Sequence, residues 1–425
     1  MEQPLAQLEN SARAGDAQAM YQLGLYALRH GEVKTAFDWL HKAGEKKHTR
    51  AIELLGVLIL QGHGVKADPA LAFEYFRSAA MTGDAQALMR CAELMFSGKG
   101  VNKDQAGALS CVVESAKQGY PIALRTLGFI LLRQGDSCRD AAKTAFKIAA
   151  YGGDPHSQYY MARNASSVAE QNAWMAHAAQ SGLYLAKQHF KSESAQANLV
   201  DLKGDLRACL DALVPVLDSF TDLAAVSDSK VLLSDIADIY VMDELLSVAE
   251  AEYLINAAAP MLHPAKVVHA NDTVENEQVR TGMTASLGKV LDVVVDWLVL
   301  RISAVTGQCP LRAEVPSVIC YRPGQMYKQH GDYLPAGSEL AAEGYGGQRT
   351  HTALVYLNDN FIGGSTTFNL LGLNVTPQQG KLLTFTNVTD KAEPLELSQH
   401  TGEAVESGEK WLLSIWYRQM PAKTH

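Results

Sequence analysis

The chain has 425 residues, 47% of them apolar and 20% charged, and a net charge of −9, which excludes a disordered chain and allows two or three domains with cores of their own. The acidic balance argues against a nucleic-acid partner, because a phosphate backbone is bound chiefly by Lys and Arg. Apolar runs such as Leu54 to Leu60 are too short for a membrane span, Met1 to Asn10 lacks the basic region and apolar core of a secretion signal, and cysteines 91, 111, 138, 209, 309 and 320 form no Cys-x-x-Cys pair, so we expect a cytoplasmic protein with reduced thiols and no membrane partner.

The first half repeats itself. Asp16-Ala-Gln-Ala19 recurs as Asp84-Ala-Gln-Ala87, and Ala79-Ala80-x-x-Gly83 recurs as Ala116-x-x-Gly119, Ala149-Ala150-x-Gly152 and Ala178-Ala179-x-x-Gly182. A period of about 32 to 37 residues indicates stacked helical pairs, each too thin to bury its own apolar face. Leu23-Gly24, Leu55-Gly56 and Leu127-Gly128 mark the first helix of successive units. Gly62-His-Gly-Val65 and Gly98-Lys-Gly-Val101 mark the turns between helices. These units resemble the Sel-one-like branch of the tetratricopeptide repeats, which implies an all-α solenoid over residues 1–191; its concave face is expected to take a protein partner, with a rigid spacer or a dimer contact as the equal alternatives.

Residues 192–230 read as a helical linker with Asp and Ser punctuation. Beyond it, Val248 to Met261 and Leu287 to Thr306 carry apolar residues at helical spacing. Val315 to Tyr321, Thr350 to Leu357, Gly380 to Thr386 and Trp411 to Arg418 are rich in β-branched and aromatic residues. Gly363-Gly364 reads as a hairpin turn. The expected fold of 231–425 is an α+β double-stranded β-helix, or jelly roll, with buttressing helices.

Chemistry concentrates at Tyr321-Arg-Pro-Gly-Gln-Met-Tyr327-Lys-Gln-His330-Gly-Asp332. His400 stands 68 residues beyond Asp332, and Lys410 ten residues beyond His400. Residues i and i+2 of a strand share a face, so His330 and Asp332 present an imidazole and a carboxylate together, and His400 from a later strand completes three ligands. Two histidines and a carboxylate with the opposite positions open form the facial triad of non-haem Fe(II) oxygenases. The open positions receive a chelating 2-oxo acid and O2, and Lys410 offers a positive charge to the acid's remote carboxylate. About one His-x-Asp/Glu is expected by chance in such a composition, and His30-Gly31-Glu32 reads as that case, a solvated loop. Trp416, six residues after Lys410, shares its face on a continuous strand and would serve equally as a pocket wall or a core residue. Tyr321 and Tyr356 read alternatively as core aromatics. His351 faces away from Thr352 and is left out of the site.

Around this segment stand Thr352-Ala-Leu-Val-Tyr356-Leu-Asn-Asp, Ser398-Gln-His400-Thr-Gly402 and Gly408-Glu-Lys410-Trp411. With Val241 to Leu254, Val279-Arg280-Thr281, Arg301-Ile302-x-Ala-Val-Thr306-Gly307 and Trp411-x-x-x-x-Trp416-x-Arg418, they resemble the prolyl 4-hydroxylase family of Fe(II)/2-oxoglutarate dioxygenases from about Val231 to Arg418. The resemblance implies His330, Asp332 and His400 as catalytic metal ligands. It implies Lys410, Tyr321 and Thr352 at the far carboxylate of 2-oxoglutarate, and Tyr327, Arg280 and Arg349 near the peptide. Fe(II), 2-oxoglutarate and O2 follow, with ascorbate as reductant, and so does hydroxylation of a prolyl residue in a protein or peptide, the repeats recruiting the target.

Departures from the family pattern bear on the substrate. Ser365 replaces a frequent Glu after Gly363-Gly364, and Gly282-Met283 follows Arg280-Thr281 where a serine is common. The Gly- and Ala-rich loop from Tyr333 to Gln348 reads as a lid. These leave open another side chain or a free amino acid as substrate. A noncatalytic repeat scaffold and a cupin-like metal enzyme without an oxo acid are the other readings.

Overall fold

The structure is a computed structural model that describes residues 2–189, 206–218, 229–265, 267–268, 274–275, 279–289, 292–335 and 338–421. Of the expected linker, residues 192–205 and 219–228 lie outside the described residues. Packing divides the chain into two compact units: 1–161 with 199–223 and 291–293, and 162–198 with 224–290 and 294–425.

The first unit is helical throughout its described length. It holds α1 (Glu2–Arg13), α2 (Ala17–Arg29), α3 (Val33–Glu45), α4 (Thr49–Gln61), α5 (Pro69–Ala80), α6 (Ala85–Ser97), α7 (Gln105–Lys117), α8 (Pro121–Leu132), α9 (Arg139–Tyr151) and most of α10 (Pro155–Arg163). The recurring Asp-Ala-Gln-Ala is a helix start. Asp16 accepts from the N–H groups of Gln18 and Ala19, and Asp84 from that of Ala87, which satisfies first-turn donors that no helical carbonyl can reach. The recurring Leu-Gly is a packing device. A Cβ on Gly24 would lie 2.6 Å from Leu40, on Gly56 2.6 Å from Phe76, and on Gly128 2.7 Å from Phe146, so each first helix gives up a side chain to admit a large one from the second.

Helices α11 (Val168–Gln180) and α12 (Tyr184–His189) belong to the second unit, while α13 (Leu206–Asp218) returns to the first against α7 and α9. The second unit continues with β1 (Val231–Ser234), β2 (Ile239–Met242), α14 (Val248–Ala258), β3 (His263–Pro264), β4 (Val267–Val268), β5 (Val274–Glu275), β6 (Met283–Ser286) and α15 (Val293–Thr306). Then come β7 (Ser317–Tyr321), β8 (Tyr327–His330), β9 (Arg349–Tyr356), β10 (Ile362–Gly363), β11 (Thr366–Phe368) and β12 (Leu373–Val375). β13 (Leu382–Thr386), β14 (His400–Gly402), β15 (Val405–Ser407) and β16 (Lys410–Arg418) complete it.

Eight strands form one antiparallel sheet in the order β1-β2-β13-β9-β16-β7-β6-β3, and four form another, β12-β11-β14-β8. Phe368 of the smaller sheet meets Phe385 of the larger edge to face at 5.1 Å, within a core that includes Ile239, Leu354, Tyr356, Leu383 and Leu412. This is the expected jelly roll. Helices cover the other face of the large sheet. Along β16, Trp411 meets Tyr184 of α12 at 5.4 Å and the Tyr417 hydroxyl shares a hydrogen bond with Ser303 of α15 at 3.0 Å, while Lys410, Leu412, Ser414 and Trp416 look into a cavity between the sheets. Strand alternation thus assigns one face to support and the other to chemistry.

Two buttressing helices are locked by one carboxylate. Glu250 closes the capping box of α14 with Ser247 and pairs with Arg301 of α15 at 2.6 Å. The expected hairpin at Gly363-Gly364 is not one: β10 pairs with β15, whereas β11 pairs with β12 and β14. The glycines carry the chain between sheets, and at Gly363 (φ +80°) a Cβ would lie 2.5 Å from the Ala404 carbonyl oxygen.

Candidate active site

Register brings the two histidines together. His400 opens β14 directly opposite His330, the last residue of β8, and their rings lie 4.3 Å apart. Asp332 sits just beyond β8 in a bend, so the turn and not a shared strand face aims its carboxylate. Ligand atoms of His330, Asp332 and His400 all lie within 4.8 Å of one another. His330 Nε2 is 3.7 Å from Asp332 Oδ1, and His400 Nε2 is 4.0 Å from Oδ2.

Hydrogen bonds prepare these groups for a cation. His330 Nδ1 donates to the Lys328 carbonyl at 2.8 Å and His400 Nδ1 to that of Ser398 at 3.2 Å, which leaves the Nε2 lone pairs free. Burial pulls the pKa of His330 down to about 3, so its ring is neutral. Burial opposes the charge on Asp332, yet His400 and His330 beside it and the Thr352 hydroxyl together hold its pKa below the ordinary value. Two imidazoles and one carboxylate on one side of an open space fit a divalent ion that keeps further positions free.

The small cavity beside them is lined by Arg280, Tyr321, Tyr327, Lys410 and Trp416 together with the three ligands. Lys410 is the chemical surprise. It is only 2% exposed, and among the described residues its ammonium has no hydrogen-bond or ion-pair partner. It faces the rings of Tyr321 and Tyr356 at 5.6 and 5.5 Å. Burial lowers its pKa to about 7. A buried cation with no carboxylate in contact, only Glu403 acting on it from a distance, is a receptor for an anion.

Most expected site residues are gathered here. Lys410 and Tyr321 are cross-strand neighbours of β16 and β7. Tyr327 reaches the ligand face through a bulge: His330 to Tyr327 spans three residues of β8 against His400 to Gly402, two residues later on β14. Its ring stacks on His330 at 3.3 Å. Arg280 lies over the Tyr327 ring at 5.0 Å.

Two residues act differently from expectation. Thr352 does not line the cavity. Fully buried, it donates to Asp332 Oδ2 at 2.8 Å and accepts from Asn387 Nδ2 at 2.9 Å, so its hydroxyl is engaged by the carboxylate ligand. Arg349 also lies outside the lining. Its guanidinium holds Glu314 by two hydrogen bonds of 2.7 and 2.8 Å and stacks on Trp416 at 4.1 Å, so it props the cavity wall. Arg418 shares Glu314 and binds the carbonyls of Leu340 and Gly347. With the Gln348 side chain on both backbone groups of Leu334, these bonds fasten the described parts of the expected lid. Asn387 and Glu314 carry no local sequence signal, since their partners stand 35 residues away.

Comparison with known proteins agrees with this geometry. The profile described as the 2OG-Fe(II) oxygenase superfamily matches residues 316–418, and the Sel1 repeat profile matches 17–48, 49–84 and 85–120. The chain is 33% identical over 201 residues to prolyl 4-hydroxylase 1 of Arabidopsis thaliana, covering 43% of this chain and 69% of that protein. To a putative prolyl 4-hydroxylase of Acanthamoeba polyphaga mimivirus it is 38% identical over 112 residues, covering 25% of this chain and 46% of that one. The crystal structure of the viral collagen prolyl hydroxylase of Paramecium bursaria Chlorella virus-1, in complex with 2OG, aligns at 24% identity with a TM-score of 0.34, over 42% of this chain and 95% of that one. Among the described residues no helix is long and apolar enough to cross a membrane.

Proposed function

Since the chain belongs to the prolyl 4-hydroxylase family of 2-oxoglutarate/Fe(II) oxygenases, we propose that it hydroxylates a prolyl residue of a protein or peptide in the cavity between its two sheets. The observation that carries this reading is one cavity holding both a three-ligand cluster and a buried ammonium that no carboxylate contacts among the described residues.

His330, Asp332 and His400 would hold Fe(II), which when bound with 2-oxoglutarate and O2 supplies the oxidising chemistry. Lys410 receives the remote carboxylate of 2-oxoglutarate, and that pairing restores its full positive charge by raising its pKa from about 7. Tyr321, pressed beside Lys410, orients the same end. Tyr327 and Trp416 wall the substrate side, with Arg280 and Arg349 fixing their rings. Leu354 and Leu412 in the lining keep water from the reacting centre.

The repeats, in this proposal, recruit the target. Recruitment predicts a protein substrate with a KM far below that of a short peptide carrying the same proline, and equal values would remove it. The core reading is tested without any substrate, by anaerobic absorption of the Fe(II) protein on addition of 2-oxoglutarate. A charge-transfer band lost in Asp332→Ala supports the oxygenase. No band in folded, metal-loaded wild type would refute it in favour of a noncatalytic scaffold.

A further inference from the structure

The contact of Thr352 with Asp332 continues one step further, to Asn387, and its direction is fixed by chemistry. An ionised carboxylate only accepts, so the single hydroxyl proton of Thr352 goes to Asp332. The hydroxyl oxygen can then only receive, and the amino end of Asn387 must face it. Distances of 2.8 and 2.9 Å make both bonds full-strength. The backbone holds Asn387 in place just past β13: its N–H donates to the Thr350 carbonyl at 2.8 Å, and its carbonyl accepts from Leu395 at 3.0 Å. Both side chains are fully buried. Among the described residues the Oδ1 of Asn387 has no partner, a cost that an asparagine serving only the fold would have no reason to carry.

We propose that Asn387 is a positioning residue for Asp332, acting through Thr352. By supplying the hydroxyl with a donor, Asn387 prevents Thr352 from turning its proton elsewhere. The Thr352 hydroxyl therefore keeps donating to Asp332 Oδ2, fixes the rotation of the carboxylate, and leaves Oδ1, which accepts no hydrogen bond from the described residues, available to the ion. This inference rests on the reading of His330, Asp332 and His400 as metal ligands.

The test is metal binding by the purified full chain, with Mn(II) followed by electron paramagnetic resonance and Co(II) by its visible absorption. Thr352→Val, which keeps the shape and removes the donor, is expected to weaken Mn(II) binding about 10- to 100-fold and to change the Co(II) bands. Thr352→Ser is expected to restore both. Asn387→Leu is expected to weaken binding in the wild-type background but to add nothing to Thr352→Val, since a relay already cut cannot be cut again. Thr352→Val and Asn387→Leu proteins that melt as the wild type does and bind Mn(II) equally well, with unchanged Co(II) bands, would overturn the relay. Additive losses in the double variant would do the same. A wild type that binds neither ion would overturn the metal-ligand reading itself, and the relay with it. If Asn387→Leu does not fold, the Val and Ser pair at Thr352 still decides whether a donor to Asp332 matters.

Discussion

Removing the charge of Lys410 should make the protein more stable and less able to bind its co-substrate. Burial lowers the ammonium's pKa from 10.5 to about 7, which corresponds to ~5 kcal/mol when the charge is kept in the folded state. Lys410→Met preserves the apolar stem and removes the charge. Allowing for partial deprotonation and relaxation, we expect the variant without ligand to gain about 2–4 kcal/mol at pH 7, a rise in Tm of about 5–10 °C. The sign with pH is fixed: the folded pKa is depressed, so the wild type bears the full cost below pH 7 and sheds it as pH rises from about 7 towards 10.5. The gap between the two proteins should therefore narrow across that window. Scanning fluorimetry of both from pH 6 to about 10 reads this directly. The same scans with 2-oxoglutarate and Mn(II) should show stabilisation of the wild type and an affinity at least about 30-fold weaker in the variant. A variant that melts at or below the wild type at pH 7, or a gap that does not close with pH, would refute a destabilising buried cation at this position.

Other perturbations follow the same logic. Glu250→Ala strands the buried Arg301 guanidinium and opens the capping box, and should cost about 3–5 kcal/mol, seen as an earlier urea transition in tryptophan fluorescence; a midpoint shift too small to measure would contradict it. Gly128→Ala places a methyl 2.7 Å from the Phe146 ring and should cost about 1–3 kcal/mol in the melting of the helical unit by far-UV circular dichroism. An unchanged melt would mean that Phe146 can withdraw. Tyr184→Phe removes the 2.7 Å hydrogen bond to Glu409, worth about 1–2 kcal/mol, and faster amide exchange at the start of β16 should report it. Exchange identical to the wild type would show that Trp411 packing alone holds that contact.

The sequence exposes what is periodic or tightly spaced, and hides what depends on register. Helical pairs announce themselves through Asp caps and Leu-Gly steps, because a solenoid must repeat its local solutions. The metal ligands are legible because their residue types are unusual together. Thr352 was legible as a position but not as a role. Whether its hydroxyl faces a co-substrate or a carboxylate depends on where the bend after β8 sets Asp332. Tyr327 shows the same limit, since a bulge, invisible in composition, moves it onto the face of His330. Glu314 and Asn387 are ordinary residues made important by partners from other strands.

Helix α12 closes the pattern of repeats in sequence, yet beyond its packing on α11 it reaches the oxygenase part of the chain. The Tyr184 hydroxyl reaches Glu409, the Leu185 N–H reaches Asn256 of α14, and the Tyr184 ring meets Trp411. The inheritable cassette is therefore larger than the oxygenase motif. A chimera spliced at residue 231 would leave Trp411 in water and β16 without one of its supports, whereas a junction ahead of residue 162 carries the brace along. For this chain, a graft of new repeats onto an old catalyst has to be made inside the repeat pattern.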